Sequence, residues 1–164
     1  DEVLQKLVEE DNWVIREKVA SHPDLSEDVI IDLANDESDY VRVSLLENQK
    51  FEEAFLERMV KSDKRLVRKT FASSSPLPAQ VAKGFIDDDY YGTKVALAKN
   101  PSVGQDIHEA LLKDKQAVVR KAVCQAPSLA PEITKMIGND ENDGVVEEIF
   151  KIYIREECEV TDYR

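Results

Sequence analysis

Apolar residues return along this chain at two spacings. Over short stretches they recur every four residues, as in Val3 and Leu7, Val29 and Leu33, or Ile107 and Leu111, which is the spacing of one helix face. Over longer distances the whole pattern returns every 26 residues, giving units 1–24, 25–50, 51–76, 77–102, 103–128 and 129–154 and a tail at 155–164. In each unit a first apolar set begins with Leu25, Phe51, Leu77, Val103 and Leu129. Four residues on stand Val3, Val29, Phe55, Val81, Ile107 and Ile133, and four further on Leu7, Leu33, Met59, Phe85, Leu111 and Ile137. Offsets of zero, four and eight predict a first helix of about ten residues. A second set, Ile15, Val41, Val67, Thr93, Val119 and Val145, precedes Val19, Leu45, Phe71, Leu97, Val123 and Ile149 by four and predicts a second helix.

The expected fold is an all-α solenoid of about six two-helix repeats, in one domain spanning 1–154. Helices this short are marginal alone, so each must be held by its neighbours in the stack. Asp24 with Glu27, and Ser102 with Gln105, have capping-box spacing and predict the start of the first helices. Pro23, Pro101 and Pro127 are placed to end the second helices.

A polar ladder runs through the same repeat. Arg16, Arg42, Arg68, Lys94 and Arg120 stand 26 residues apart, accompanied by Glu10, Asp36, Asp88, Asp114 and Asp140. Two readings are open: a ladder of cations for phosphates, or a structural ladder in which each cation satisfies carboxylates and loop carbonyls. The structural reading is favoured, because a strictly repeated position is normally one the stack itself needs. Its expected members are Asp36, Arg42, Arg68, Asp88, Lys94, Asp114 and Arg120.

The recurring phrase is an Asp, then Val-Arg, then a short helix ending in Asn-Pro or similar, then Leu-x-Pro. It is carried by Asp36 with Val41-Arg42, Asp114 with Val119-Arg120 and Ala126-Pro127, Asn100-Pro101, and Leu129-Ala130-Pro131. On these residues, over roughly 3 to 150, the chain resembles the leucine-rich repeat variant and HEAT-like α-solenoid families. The resemblance implies a right-handed superhelix with a curved binding surface and no activity common to the family. Gly92-Thr93-Lys94 and Gly144-Val145-Val146 depart from the pattern, and the last unit is expected to be a cap. An iron–sulfur module, carried by some leucine-rich repeat variant proteins, requires a cysteine cluster where this chain has Cys124 and Cys158 alone.

Positions that vary along the repeat are the better guide to function. On the second helices they form the columns Trp13, Asp39, Arg65, Tyr91, Ala117; Glu17, Val43, Lys69, Val95, Lys121; and Ser21, Glu47, Ser73, Lys99, Gln125. The expected partner-binding residues are Trp13, Val43, Arg65, Lys69, Tyr91, Val95, Lys99 and Lys121, with the two aromatics as anchors; an ordinary solvated face is the competing reading. Arg58, Lys61, Lys64, Arg65, Arg68 and Lys69 make the third unit locally basic, which would suit an acidic peptide or a nucleic-acid backbone.

Composition limits these readings. With 34 acidic and 22 basic residues among 164, the net charge of -12 opposes general affinity for nucleic acid. Asp87-Asp88-Asp89 lacks the spaced ligands and Gly of a calcium loop, so no metal is expected there. His22 and His108 fall in structural columns and Cys124 among alanines, and no phosphate loop or nucleophile motif is present. Neither catalysis nor a cofactor is expected. No stretch reaches the roughly 20 apolar residues of a membrane span, and the two cysteines favour a reducing, cytoplasmic setting.

The expectation is a monomeric, non-catalytic scaffold that binds another protein or peptide. The alternatives are a nucleic-acid-binding module similar to HEAT-like alkylpurine DNA glycosylases, and a structural spacer. The chain opens without Met and inside a repeat, so a piece of a longer protein is also expected.

Overall fold

Residues 2–127 and 129–151 are described by the computed structural model; Cys158, the tail at 155–164 and the last three residues of the 129–154 unit lie outside them. The described chain is all helical: α1 (Glu2–Leu7), α2 (Trp13–Ala20), α3 (Glu27–Ala34), α4 (Asp39–Asn48), α5 (Glu53–Met59), α6 (Arg65–Ala72), α7 (Ala79–Gly84), α8 (Tyr91–Ala98), α9 (Gln105–Leu111), α10 (Ala117–Cys124) and α11 (Pro131–Ile137). A twelfth helix, α12, covers 143–151, and no strand occurs among the described residues. Odd-numbered helices are the first and even-numbered helices the second of each 26-residue unit. The expected cap at the last unit is an ordinary helix over its described part, with Val145 and Ile149 buried like their counterparts.

The first helices are shorter than the pattern predicts and begin later. They run six to eight residues, and their N-caps include Ser26, Glu52, Pro78, Gly104 and Ala130. Leu25, Phe51, Leu77, Val103 and Leu129 therefore precede their helices by one residue beyond the cap. From there they pack on the core as partly or fully buried side chains, the position from which an apolar residue staples a helix start to its own first turns. The spacing of four is thus spanned by extended backbone and not by a helical turn. The expected capping boxes are absent for the same reason: Ser26 and Gly104 make no side-chain cap bond. The backbone N–H groups of Asp24 and Ser102 instead donate to His22 Nδ1 and Asn100 Oδ1, at 3.2 and 2.8 Å.

The second helices start on a repeated turn. Ahead of α4, α8, α10 and α12, the Oδ1 of Asp36, Asp88, Asp114 and Asp140 accepts the N–H two residues on, at 2.8 to 2.9 Å. An Asp side chain closing a turn in this way gives the chain a fixed entry into the next helix. No described residue has positive φ, and the Ser75–Pro76 peptide bond between α6 and α7 is cis.

The apolar columns meet between the two helix layers. Val29, Leu33, Val41, Leu45, Val67, Phe71, Val81, Phe85, Leu97, Ile107, Leu111, Val119 and Val123 are all buried. Phe71 receives the rings of Phe51 and Phe55 nearly edge-on, at centroid distances of 5.0 and 5.4 Å. Neighbouring second helices pack closely at α2 with α4, α6 with α8 and α8 with α10, but only marginally at α4 with α6.

Side-chain size accounts for that break. The same column holds Ala20, Ala72 and Ala98 on the helices followed by close packing, and Leu46 at the break; axial separation follows the bulk at the contact. There α6 leans on α3, with the Thr70 hydroxyl donating to the Ala34 carbonyl at 2.8 Å. The break also opens a groove of about 540 Å³ beside Leu46, Phe51, Leu56 and Pro76.

Candidate functional site

The polar ladder lies along the edge where the second helices begin, and its bonds run between units. Arg16 donates through Nε and Nη2 to Asp36 at 2.5 and 3.0 Å, and its Nη1 to the carbonyls of Glu10 and Asp11. Arg68 repeats this with Asp88 at 2.7 and 3.2 Å and the carbonyls of Ser62 and Asp63. Arg120 does so with Asp140 at 2.7 and 2.9 Å and the carbonyls of Asp114 and Lys115. Lys94 reaches Asp114 with one bond of 2.5 Å. Each carboxylate thus closes its own turn and accepts the cation of the unit before it. The hydrogen bonds to Asp36, Asp88 and Asp140 push the Arg16, Arg68 and Arg120 pKa values upward, and Arg120 in turn holds Asp140 below the usual carboxylate range.

One rung is missing. The residue that would meet Arg42 is Ser62, at the interface where α4 and α6 separate, and Arg42 turns to Asp39 on its own helix and to the Asp36 carbonyl. The ladder cations are engaged by the protein itself, which leaves none of these guanidinium groups facing outward as a row for phosphates.

Outside the ladder stands a second row that the variable columns do not reveal. Asp11, Glu37, Asp63, Asp89, Lys115 and Glu141 occupy one column, one residue ahead of the N-caps, and all are exposed. Glu37, Asp89 and Glu141 lie 4.0, 2.5 and 3.6 Å from ladder arginines already matched by Asp36, Asp88 and Asp140. Three rungs therefore carry two carboxylates to one guanidinium, and the second carboxylate is about nine-tenths exposed.

Beside this row the first turns of the second helices expose apolar surface. Trp13 and Tyr40, from successive second helices, stack at 5.0 Å with 25° between planes. Val14, Val43, Tyr91 and Val118 are exposed to between 42 and 50%, and Tyr40 to 70%. Val14, Tyr40 and Val118 were not among the expected binding residues; they share a column with Leu66 and Gly92, and that alignment at 26 residues was the available signal. Gly92 has its own explanation, since a Cβ there would lie 2.5 Å from the Tyr90 ring. Tyr90 fills the apolar row in its place, with the Arg65 guanidinium 5.2 Å from its ring centre.

The expected binding residues divide accordingly. Trp13, Val43, Arg65, Tyr91 and Lys99 are exposed on the second-helix face. Val95, expected to be exposed, is half-buried and packs against the core. Lys69 and Lys121 are partly covered and face Asp39 at 3.9 Å and Glu148 at 3.2 Å. The basic cluster of the third unit is also largely matched: Arg58 pairs with Glu27 at 2.7 Å, Lys64 with Asp32 at 3.8 Å, and Arg68 belongs to the ladder. Of the Asp87-Asp88-Asp89 run, Asp88 and Asp89 both accept from Arg68, so the ladder arginine occupies the place between these two carboxylates.

Buried titratable groups serve the fold. His108 lies against the Ala98 carbonyl at 3.1 Å, and burial lowers its pKa. Burial pushes the Cys124 thiol up to about 11, which disfavours the reactive thiolate form. Among the described residues no group of three or more His, Cys, Asp or Glu is arranged to hold a metal ion, and no helix is long and apolar enough to cross a membrane. Compared with family models, curated proteins and solved structures, the chain matches none of them.

Proposed function

We propose that the chain is a non-catalytic protein-interaction scaffold that binds its partner on the exposed face of the second helices. The observation that carries the reading is the row of aromatic and apolar side chains there, headed by the Trp13–Tyr40 stack and continued by Val43 and Tyr91. Stacked, exposed aromatics are fixed in place before a partner arrives, and residues of this type dominate binding energy at protein interfaces. The core does not need them, since the buried columns are complete without them. Kinship with leucine-rich repeat variant and HEAT-like repeats, a right-handed superhelix, a monomeric state and a cytoplasmic setting belong to the same proposal. The closer packing of second helices than of first helices supports placing the binding face on the inside of the curve.

Nucleic acid is the weaker reading. Most of the locally basic residues are paired within the chain, the exposed Arg65 lies over the Tyr90 ring, and the exposed column beside the aromatics is mainly acidic.

The test is an affinity capture comparing the native chain with a Trp13→Ala/Tyr40→Ala/Tyr91→Ala variant, whose helical content is first checked by circular dichroism. A protein held by the native chain and lost by the variant supports the reading. Equal retention, or salt-sensitive capture of duplex DNA at submicromolar affinity, overturns it.

A further inference from the structure

Resting on that reading, we infer that the partner is a cationic, apolar-studded segment of another protein, bound in extended form along the edge where the second helices begin. Two independent features meet on this edge. The first is the unpartnered aromatic and apolar row. The second is the acidic column, in which Asp11, Glu37, Asp63 and Asp89 stand in four successive units before Lys115 interrupts it. A partner seated on the first feature is brought against the second, so its charge must be positive at that margin.

The excess of charge is set by the ladder. In an arrangement of one guanidinium to one carboxylate the edge would be neutral. The addition of Glu37 beside the Arg16–Asp36 pair and of Asp89 beside the Arg68–Asp88 pair leaves one net negative charge at each rung. The inner carboxylate alone engages both Nε and Nη2 of each arginine; Glu37 stands 4.0 Å from Arg16, and Asp89 adds a further bond to Arg68 Nη2 at 2.5 Å. Two lysines of the second-helix face are engaged elsewhere, Lys69 by Asp39 and Lys121 by Glu148, and the Arg65 guanidinium lies over the Tyr90 ring.

The repeat also sets a register for the partner. Packed helices lie about 8–10 Å apart, and an extended segment in the polyproline II form advances about 3.1 Å per residue with three residues per turn, so every third side chain faces the same way. One unit of the stack therefore matches about three residues of an extended segment. Arginine or lysine at every third position, with apolar side chains between, meets one carboxylate per unit while laying apolar groups on Tyr40, Val43 and Tyr91.

Three synthetic peptides test this. The first has arginine at every third position and leucine among the rest. The second has the same composition with its arginines clustered. The third carries glutamate for arginine. Trp13 is the single tryptophan of the chain, so its fluorescence reports occupancy of this face directly, alongside anisotropy of a labelled peptide. The spaced arginine peptide is expected to bind, to change Trp13 emission, and to weaken as salt rises.

Glu37→Gln/Asp63→Asn/Asp89→Asn should reduce its affinity by about tenfold or more. The neutralising control Glu53→Gln/Asp106→Asn/Glu132→Gln, which removes the same charge from the first helices, should change it by less than about twofold. Ser62 and the inner aspartates remain in both, and circular dichroism confirms the folded state of each.

Equal weakening by the two variants would show attraction to overall charge alone and overturn the inference. So would equal binding of the spaced and clustered peptides, or tighter binding of the glutamate peptide. Absence of binding by every peptide, where Trp13→Ala/Tyr40→Ala/Tyr91→Ala still abolishes capture of a cellular protein, overturns the cationic segment and leaves the interaction scaffold standing. Binding of the spaced peptide with no change in Trp13 emission places it off this face and overturns the inference as well.

Discussion

The missing rung between α4 and α6 allows the ladder to be tested by adding to it. Ser62 occupies the position held by Asp36, Asp88, Asp114 and Asp140 elsewhere, and its Oγ accepts the Lys64 N–H at 3.3 Å where those aspartates hold theirs at 2.8 to 2.9 Å. Ser62→Asp should both tighten that turn and offer Arg42 the carboxylate its counterparts have. At the complete arginine rungs the paired side chains are only 4 to 12% exposed. A net gain of about 1.5–3 kcal/mol is the usual range for a hydrogen bond to a charged group. Against this stand the desolvation of a new carboxylate and the loosening of the Arg42–Asp39 pair, which is worth about 0.2–1 kcal/mol because Asp39 is 79% exposed. Leu46 also resists the approach of α6, so the expected gain is about 1 kcal/mol. For a chain of this length that is a rise of about 2–4 °C in Tm.

The assay is urea unfolding followed by circular dichroism, run as a cycle with Arg42→Met. The gain should be larger with Arg42 present and shrink to the turn contribution alone in the Arg42→Met background, because the new carboxylate then has no cation to meet. A neutral or destabilising Ser62→Asp, or an equal gain in both backgrounds, would refute the account of the ladder as the device that ties neighbouring units.

Thr93 is fully buried in an otherwise aliphatic column, and its hydroxyl is the sole buried side-chain polar atom without a partner among the described residues. Thr93→Val should therefore stabilise by about 1 kcal/mol in the same urea assay, and a loss of that size would contradict the column assignment. Burial lowers the His108 pKa, so the unfolded state binds more protons as pH falls below the ordinary value near 6.5. Stability contributed by neutral His108 is complete above that value and is lost as pH falls toward the lowered folded pKa. Chemical denaturation from pH 7 to 5 should show this slope in the native chain and a smaller one in His108→Gln. Cys124, with its thiol raised to about 11, should resist a disulfide reagent at pH 8 in a Cys158→Ser background until urea unfolds the chain; rapid labelling of the folded form would disprove its burial.

Much of the helical design is written in the sequence, because in a stack each unit repeats the same local problem. The apolar columns led directly to α2, α4, α6, α8 and α10, since helix period and burial act on the same residues there. They misplaced the starts of the first helices because Leu25 and its equivalents are buried from extended backbone, and a spacing of four reads the same in either conformation. The ladder was visible as a column of cations and a column of aspartates. That Arg16 meets Asp36, and not Glu10, was not visible, because the partner lies in the next unit and is chosen by how neighbouring turns align.

The candidate surface was legible in Trp13, Val43 and Tyr91, whose variation within a repeat marks solvent. Its charge was not. Lysines and arginines of the third unit looked like a basic strip until folding brought Glu27, Asp32 and Asp88 against them from neighbouring units. Periodicity along one chain determines which residues face inward, since that depends on local geometry alone. Which charges remain free is decided only when the stack closes, because most ion pairs are made between residues that the chain itself keeps 20 or more positions apart.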